Sequence, residues 1–267
     1  MSLNPIDPAL LPYFIISLAA LTTAGLTLFS GFGLGTLFLP VFALFFPLEL
    51  AVALTALVHL ANNLFKLGLL GKYADKATVL RFGLPAILAA LLGAWTLLWL
   101  SDLSPWLSYQ LWGRQLQVTP VKLVVALLMI AFALMDLIPA LAQFSLKPKY
   151  LPLGGLLSGF FGGLSGHQGA LRSVFLLKCG LSKEAFIGTG VVIACLVDLS
   201  RLSVYFGHFS IRGFQENAGL LIIAIASAFT GSYLGSRLLT RITIQAIQYL
   251  VAALLLIIAL GLASGFI

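Results

Sequence analysis

Charged residues are scarce in this chain. Asp, Glu, Lys and Arg together make up 9% of its 267 residues, whereas hydrophobic residues make up 61%. A soluble domain carries about 25% charged residues, because its surface must stay hydrated. Most of this surface must therefore face something other than water, and the mean hydropathy of +1.10 agrees. The composition predicts an integral membrane protein.

Enzyme and metal-site signatures are also missing. The sequence has no GxSxG, HExxH or Walker A motif and no zinc-spaced cluster, so we expect no catalysis, no metal and no cofactor. Its two cysteines, Cys179 and Cys195, have no CxxC or ligand spacing and are interpreted as small core residues. The net charge of +7 comes from basic residues that stand singly between apolar segments. That distribution argues against binding to nucleic acid.

Long apolar stretches dominate the rest of the chain. A helix that crosses the bilayer needs about 20 apolar residues. Six stretches meet this length, over residues 48–70, 78–100, 121–141, 184–206, 214–239 and 242–267. Two more, over residues 10–46 and 150–179, are interrupted by Gly-rich sequences at 30–35 and 162–169. Each interrupted stretch is predicted to form two shorter helices joined by a break.

The two interrupted stretches begin two copies of one arrangement. When Gly35 is aligned with Gly169, Thr55 falls on Thr189, and the order of features repeats. We therefore predict an all-α polytopic membrane protein built from two repeats in one membrane domain. The repeats comprise residues 1–145 and 146–267. Each consists of a Gly-broken helical hairpin followed by three transmembrane helices.

The distribution of basic residues favours inverted repeats. If each broken stretch enters and leaves the membrane on one side, most Lys and Arg residues fall on a single side, as they do in cytoplasmic loops. Lys72, Lys147 and Lys183 belong to that group, and Arg114 and Arg212 to the smaller group opposite. Each repeat then crosses an odd number of times and both termini lie outside. In the alternative, each broken stretch crosses once, the repeats are parallel and the charges divide evenly.

Interrupted helices at matching positions of two repeats predict a substrate site between the repeats. Irregular backbone at membrane depth is tolerated where protein or a water-filled cavity satisfies it. The half-helix after a break directs N–H groups and its positive dipole end at the break, which suits an anion. The alternative is that the glycines serve close helix packing. The candidate substrate-binding residues at the breaks are Gly31, Gly33, Gly35, Ser165, Gly166, His167, Gln168, Gly169 and Arg172.

Polar residues inside apolar spans are costly and usually face a cavity. Arg172 is the candidate for the fixed positive charge of an oxyanion site, and His167 for a hydrogen bond or a titratable proton. His59 and Asn63 belong to a polar stripe that also contains Asn62 and Lys66, although Lys66 fits an interfacial anchor equally well. Two further sets complete the prediction: Thr189 as a substrate-binding hydroxyl, and Asp198 with Arg201 as an ion pair or gate.

Several of these segments resemble the TauE/SafE sulfite exporter family. Residues 155–173, 183–190 and 198–201 resemble its second-repeat signature, and residues 30–35 with Pro40 its Gly-rich first-repeat segment. The first repeat departs from the family by placing Phe32 and Leu34 where glycines are expected. The resemblance implies a multi-pass carrier of the bacterial plasma membrane for sulfite, thiosulfate or organosulfonates.

The resulting hypothesis is a secondary transporter that moves a small sulfur anion by alternating access. Two alternatives remain open: an anion channel, and a carrier for a non-sulfur organic anion. Proton coupling through His59, His167 or Asp198 is a further hypothesis. Small residues at 231–236 fit either internal helix packing or the face of a homodimer.

Overall fold

The computed structural model describes residues 10–30, 34–138, 145–208, 211–238 and 244–267. The first half forms α1 (Leu11–Ser30), α2 (Leu34–Ala43), α3 (Leu48–Leu70), a 3-10 turn (Gly71–Tyr73), α4 (Lys76–Ser101), β1 (Leu107–Leu111), β2 (Arg114–Val118) and α5 (Pro120–Leu137). The second half forms a 3-10 turn (Pro148–Tyr150), α6 (Leu151–Ser165), α7 (Gly169–Leu176), α8 (Lys183–His208), α9 (Ile211–Glu216), α10 (Ala218–Leu238) and α11 (Ile244–Ala263). The prediction of an all-α polytopic membrane protein is confirmed.

Within the described ranges, four helices are long and apolar enough to cross a bilayer: Leu48–Tyr73, Lys76–Ser101, Lys183–His208 and Ala218–Gly235. The predicted spans 48–70, 78–100 and 184–206 correspond to α3, α4 and α8. One difference lies between α4 and α5, where the chain forms a β-hairpin with β1 antiparallel to β2. A second difference concerns the span predicted over 214–239. The short helix α9 covers the first residues of that stretch, and α10 begins after it.

Helices from the two halves pack against each other in reciprocal pairs. The first helix of each half packs on the next long helix after the third in the other half: α1 on α10, which follows the short α9, and α6 on α4. The third helices, α3 and α8, also pack together, as do the last helices, α5 and α11. Such an exchange of partners is what a pseudo-twofold relation between two repeats produces. The division at residue 145 and the inversion of the repeats stay predictions.

Glycines permit the closest of these helix contacts. Along α6, Gly155, Gly159 and Gly163 lie against the backbone carbonyls of Phe82, Ala86 and Ala90 on α4. A Cβ atom at any of the three glycines would overlap a carbonyl oxygen. Small residues allow helices in membranes to approach in this way. The packing function proposed above as an alternative for the glycines therefore accounts for these three.

The contact of α1 with α10 has the same basis. Gly231 of α10 lies against Leu21, and Gly235 lies against Gly25. The adjacent Ser232 donates a hydrogen bond of 2.8 Å to Asn62 Oδ1 on α3. The small residues of the 231–236 segment that the structure describes thus serve internal packing. Formation of a homodimer stays a prediction.

The helices α3 and α8 run antiparallel. His59 contacts Asp198 near the middle of both helices, whereas Leu70 at the end of α3 lies against Gly188 near the start of α8. Residue numbers therefore fall along α8 as they rise along α3. This is the direction that inverted repeats require of two equivalent helices.

Candidate functional site

The second break lies between α6 and α7. The helix α6 ends at Gly166, which adopts a left-handed conformation with φ of 80°. A side chain at that φ is strained, so glycine suits the position. The helix α7 then begins at Gly169. All residues from Gly162 to Gly169 are buried, so the break lies inside the helical bundle.

The first-repeat break meets the second at Gly35. A methyl group added at Gly35 would lie 3.3 Å from the carbonyl oxygen of Gly166 and 3.7 Å from Cδ2 of His59. The structure thus brings Gly35, the last residue of the first-repeat break, next to the second break. Gly31 and Gly33, also predicted to bind substrate, lie outside the described residues.

Side chains from α8 and α6 add hydrogen bonds to the backbone around the second break. Arg201 Nη1 donates to the carbonyl oxygen of Gly162 at 3.3 Å, and the Tyr205 hydroxyl donates to that of Gly163. Ser158 Oγ donates to the carbonyl oxygen of Gln168 at 2.9 Å. Gly162 also accepts from the N–H of Gly166 at 2.9 Å and Gln168 from that of Arg172 at 3.0 Å, so the side chains reinforce these backbone bonds and hold the irregular segment in one position.

Asp198 is the centre of a buried polar cluster. Arg201 donates to Asp198 Oδ1 from Nε at 3.0 Å and from Nη2 at 2.8 Å, so the two residues form an ion pair. Gln168 Nε2 donates to the same oxygen at 3.3 Å. Oδ2 of Asp198 lies 2.6 Å from His59 Nδ1. The carboxylate thus connects α3, α8 and the second break, and a gating role for the pair stays a prediction.

The hydrogen bonds assign His59 a single tautomer. Its Nδ1 carries the proton that is donated to Asp198. Asn63 Nδ2 lies 3.2 Å from both ring nitrogens, and it donates to Nε2, the nitrogen without a proton. Both nitrogens of a neutral His59 are therefore satisfied within the chain. The cluster is then balanced, because the charge of Asp198 is matched by that of Arg201.

His167 has one ring nitrogen without a partner. Its Nδ1 lies 3.0 Å from the carbonyl oxygen of Ser165, which can only accept, so Nδ1 carries the proton. The ring stacks on Phe132 of α5 at 5.3 Å between centroids. Nε2 is buried with no hydrogen-bond partner among the described residues. This nitrogen is available to take a proton or to accept a hydrogen bond.

Arg172 and Lys66 are buried cations without a carboxylate partner among the described side chains. Arg172 is 9% exposed and Lys66 is 6% exposed. The guanidinium lies against α8 at Gly190, where an added Cβ atom would be 3.3 Å from Nε, and Nη1 has no hydrogen-bond partner. The charges of Lys66 and Asp198 both act on Arg172. An unpaired buried charge is strongly unfavourable, so this pair favours the binding of an anion.

The predicted substrate-binding residue Thr189 has a structural partner. Thr189 Oγ1 accepts a hydrogen bond of 2.9 Å from the backbone N–H of Asp75 and so joins α8 to the start of α4. Nine residues separate Thr189 from Asp198, a rise of about 14 Å along the helix. Thr189 therefore lies away from the Asp198 cluster, and its role in substrate binding stays a prediction.

Other buried polar atoms also lack partners within the part of the chain that the structure describes. They are Thr55 Oγ1, Asn62 Nδ2 and Gln168 Oε1. Buried polar groups are normally hydrogen-bonded, to protein or to water. Gln168 Oε1, His167 Nε2 and Arg172 Nη1 all belong to the second break or the helix after it, and they mark this region as a place for a polar ligand or ordered water.

Two residues of the site were missed by the sequence interpretation. Lys66, for which it left a place in the polar stripe and an interfacial anchor equally open, is buried. Phe132, which stacks on His167, and Ser158, which holds the carbonyl of Gln168, were not predicted at all. An aromatic residue or a serine in an apolar helix carries no local signal of such contacts, because the partners come from other helices.

A separate cavity of about 530 Å³ lies outside this site. It is lined by the turn between α2 and α3, the end of β2, the start of α5 and the last residues of the chain, with Glu49 and Lys122 among the lining residues. None of the predicted substrate-binding residues lines it. The charged interior around the breaks is therefore the stronger candidate site.

The fold and this interior define an α-helical membrane protein with a cationic, polar site at two helix breaks. The chain matches the family described as "Sulfite exporter TauE/SafE" over residues 13–262, and it belongs to that family. No curated protein and no solved structure matches it. Family membership indicates membrane transport of sulfur anions such as sulfite rather than catalysis. The resemblance found in the sequence is thereby confirmed.

Proposed function

We propose that this protein is a secondary transporter that moves a small sulfur-containing anion across the plasma membrane by alternating access. The observation that carries the proposal is Arg172, a buried guanidinium beside the second break whose Nη1 has no partner among the described residues. A guanidinium binds an oxyanion through directed, charge-assisted hydrogen bonds. Sulfite, thiosulfate and organosulfonates all present oxygen atoms that can accept them.

A carrier fits the interior better than an open channel. His59, Gln168, Asp198 and Arg201 are all buried, and they join α3, α8 and the second break through direct hydrogen bonds. A pore would need a continuous aqueous path at this depth. In the proposal, the cluster closes the path between the repeats, and substrate reaches the site from one side at a time.

Proton coupling belongs to the same proposal. His167 is the candidate, because Nε2 has no partner among the described residues while both nitrogens of His59 are engaged. A bound anion favours the charged form of a nearby imidazole, so protonation and anion binding support each other. Transport unchanged by an imposed pH gradient would exclude this coupling.

The test is flux of radiolabelled sulfite and thiosulfate in liposomes that contain purified protein. We expect saturable flux with counterflow between labelled and unlabelled anion. Arg172→Gln is expected to abolish it in a protein that stays folded. The matched control is Arg81→Gln, because Arg81 is an exposed arginine on α4. Full activity of Arg172→Gln would refute the site, and flux without counterflow would favour the channel.

A further inference from the structure

We infer that Lys66 is the second cation of the anion site and that the site selects doubly charged anions. This inference rests on the proposed function and adds the charge of the substrate to it. Lys66 lies seven residues from His59 on α3, a separation of about 10 Å along the helix, so it stands apart from the Asp198 cluster.

The antiparallel course of α3 and α8 places Lys66 and Arg172 at one level of the bundle. His59 is opposite Asp198 and Leu70 is opposite Gly188, so Lys66 faces the part of α8 between these two positions. Arg172 lies against Gly190 in that same part. Eight residues, or about 12 Å of helix, separate Gly190 from Asp198. The two cations therefore form a pair at one level, while Asp198, the buried carboxylate among the described residues, is bound to Arg201 at another.

The charges of the described interior do not balance. Asp198 is matched by Arg201 at 2.8 Å, and His59 is satisfied as a neutral ring. Lys66 and Arg172 then leave two positive charges in a medium of low dielectric, where each is costly unless it is paired. An anion with two negative charges compensates both, whereas an anion with one charge leaves the other cation unpaired. Specificity for charge follows from this difference.

The expected substrate class is a compact sulfur dianion. Its oxygen atoms must lie close enough together for Lys66 to bind one side of the anion while Arg172 binds the other. Thiosulfate, which carries two charges at neutral pH, has this chemistry. Methanesulfonate carries one charge, and taurine has no net charge because its ammonium group cancels its sulfonate. Comparison of the three compounds separates the effect of net charge on binding from the effect of a sulfur–oxygen group.

The experiment measures binding of the three compounds to the full chain in detergent by isothermal calorimetry. We expect thiosulfate to bind at least about ten-fold more tightly than methanesulfonate, with taurine weakest. In Lys66→Gln the affinity for thiosulfate should fall by about ten-fold or more, while that for methanesulfonate changes by less than about three-fold. Lys66→Arg should retain the preference. Lys76→Gln is the matched control, since Lys76 is an exposed lysine at the start of α4.

Three results would overturn the inference while leaving the anion site standing. One is equal affinity of the unmodified protein for thiosulfate and methanesulfonate. Another is an equal loss of both affinities in Lys66→Gln. The third concerns Asp136, whose side chain is outside the described part of α5: a preference for thiosulfate that appears only in Asp136→Asn would mean that Asp136 supplies the counter-charge. Absence of binding by all three compounds, together with absence of flux, would instead refute the proposed function.

Discussion

Replacing Asp198 by Asn should destabilise this protein more than any other change of a single charge in the cluster. Asp198 accepts from Arg201 at two nitrogens, from His59 and from Gln168, with distances of 2.6 to 3.3 Å. Asparagine has nearly the same size but no negative charge. The guanidinium of Arg201 would then be buried without a counter-ion. Removal of one partner of a buried pair costs about 3–5 kcal/mol, and we expect a loss in that range.

The assay is reversible unfolding in mixtures of SDS and a mild detergent, followed through the fluorescence of the four tryptophans. Glu184→Gln is the matched control, because Glu184 is an exposed carboxylate near the start of the same helix. A surface change of this kind should alter the free energy of unfolding by less than about 0.5 kcal/mol. A loss below about 1 kcal/mol for Asp198→Asn would refute the reasoning.

A double-mutant cycle separates the ion pair from the rest of the cluster. Arg201→Met removes the cation and also the hydrogen bond to the carbonyl oxygen of Gly162. The double variant leaves no uncompensated charge of this pair, so it should be less destabilised than the sum of the single variants. Strict additivity would mean that Asp198 and Arg201 act independently, contrary to the 2.8 Å contact.

Two further predictions concern the frame around the site. Gly163→Ala should strongly lower the thermal stability, because the added Cβ would overlap the carbonyl oxygen of Ala90. Gly207→Ala has open space around the added Cβ and should not lower it. Equal melting temperatures of the two variants would contradict the packing argument. Asp75 accepts from the backbone N–H of Thr78 at 2.8 Å and caps α4, so Asp75→Ala should cost about 1 kcal/mol and Asp75→Asn little. Hydrogen bonds from the side chain and the backbone of Thr78 hold the pKa of Asp75 below its usual range. The contribution of Asp75 to stability is therefore present above the unfolded pKa and is lost as pH falls through the folded pKa. A stability difference between the unmodified protein and Asp75→Ala that persists in acid would refute it.

Local features of the chain explain why much of the fold could be predicted. The span 48–70 was predicted with the same limits as α3, because an apolar run is flanked by Pro47 and Gly71. The hairpin of β1 and β2 was not predicted. A two-stranded hairpin is marginally stable alone, and this one depends on distant residues. Tyr109 donates to the carbonyl oxygen of Ser264, which a reading of the local sequence cannot anticipate.

The same distinction separates the two parts of the site. Asp198 and Arg201 are three residues apart on one helix, so their pairing follows from helical spacing. The contact of His59 with Asp198 joins residues 139 positions apart, and the sequence placed both in spans without linking them. The position of Lys66 was left open by the sequence. Its long side chain was compatible with an interfacial anchor, but the packing of α3 on α8 buries it instead.

The Asp198 cluster differs from the Lys66–Arg172 pair in what holds it together. Arg201 and Tyr205 bind carbonyls of the second break from α8, so the break and α8 are fastened to each other. The connection from α3 to this unit runs through His59, by a bond of 2.6 Å to Asp198. The cluster can therefore persist without ligand because its charges are matched. The charges of the cation pair, Lys66 and Arg172, are matched only when an anion is bound. In the proposed transport cycle, the anion draws α3 and α7 together at one level, while His59 and Asp198 join α3 to α8 at another.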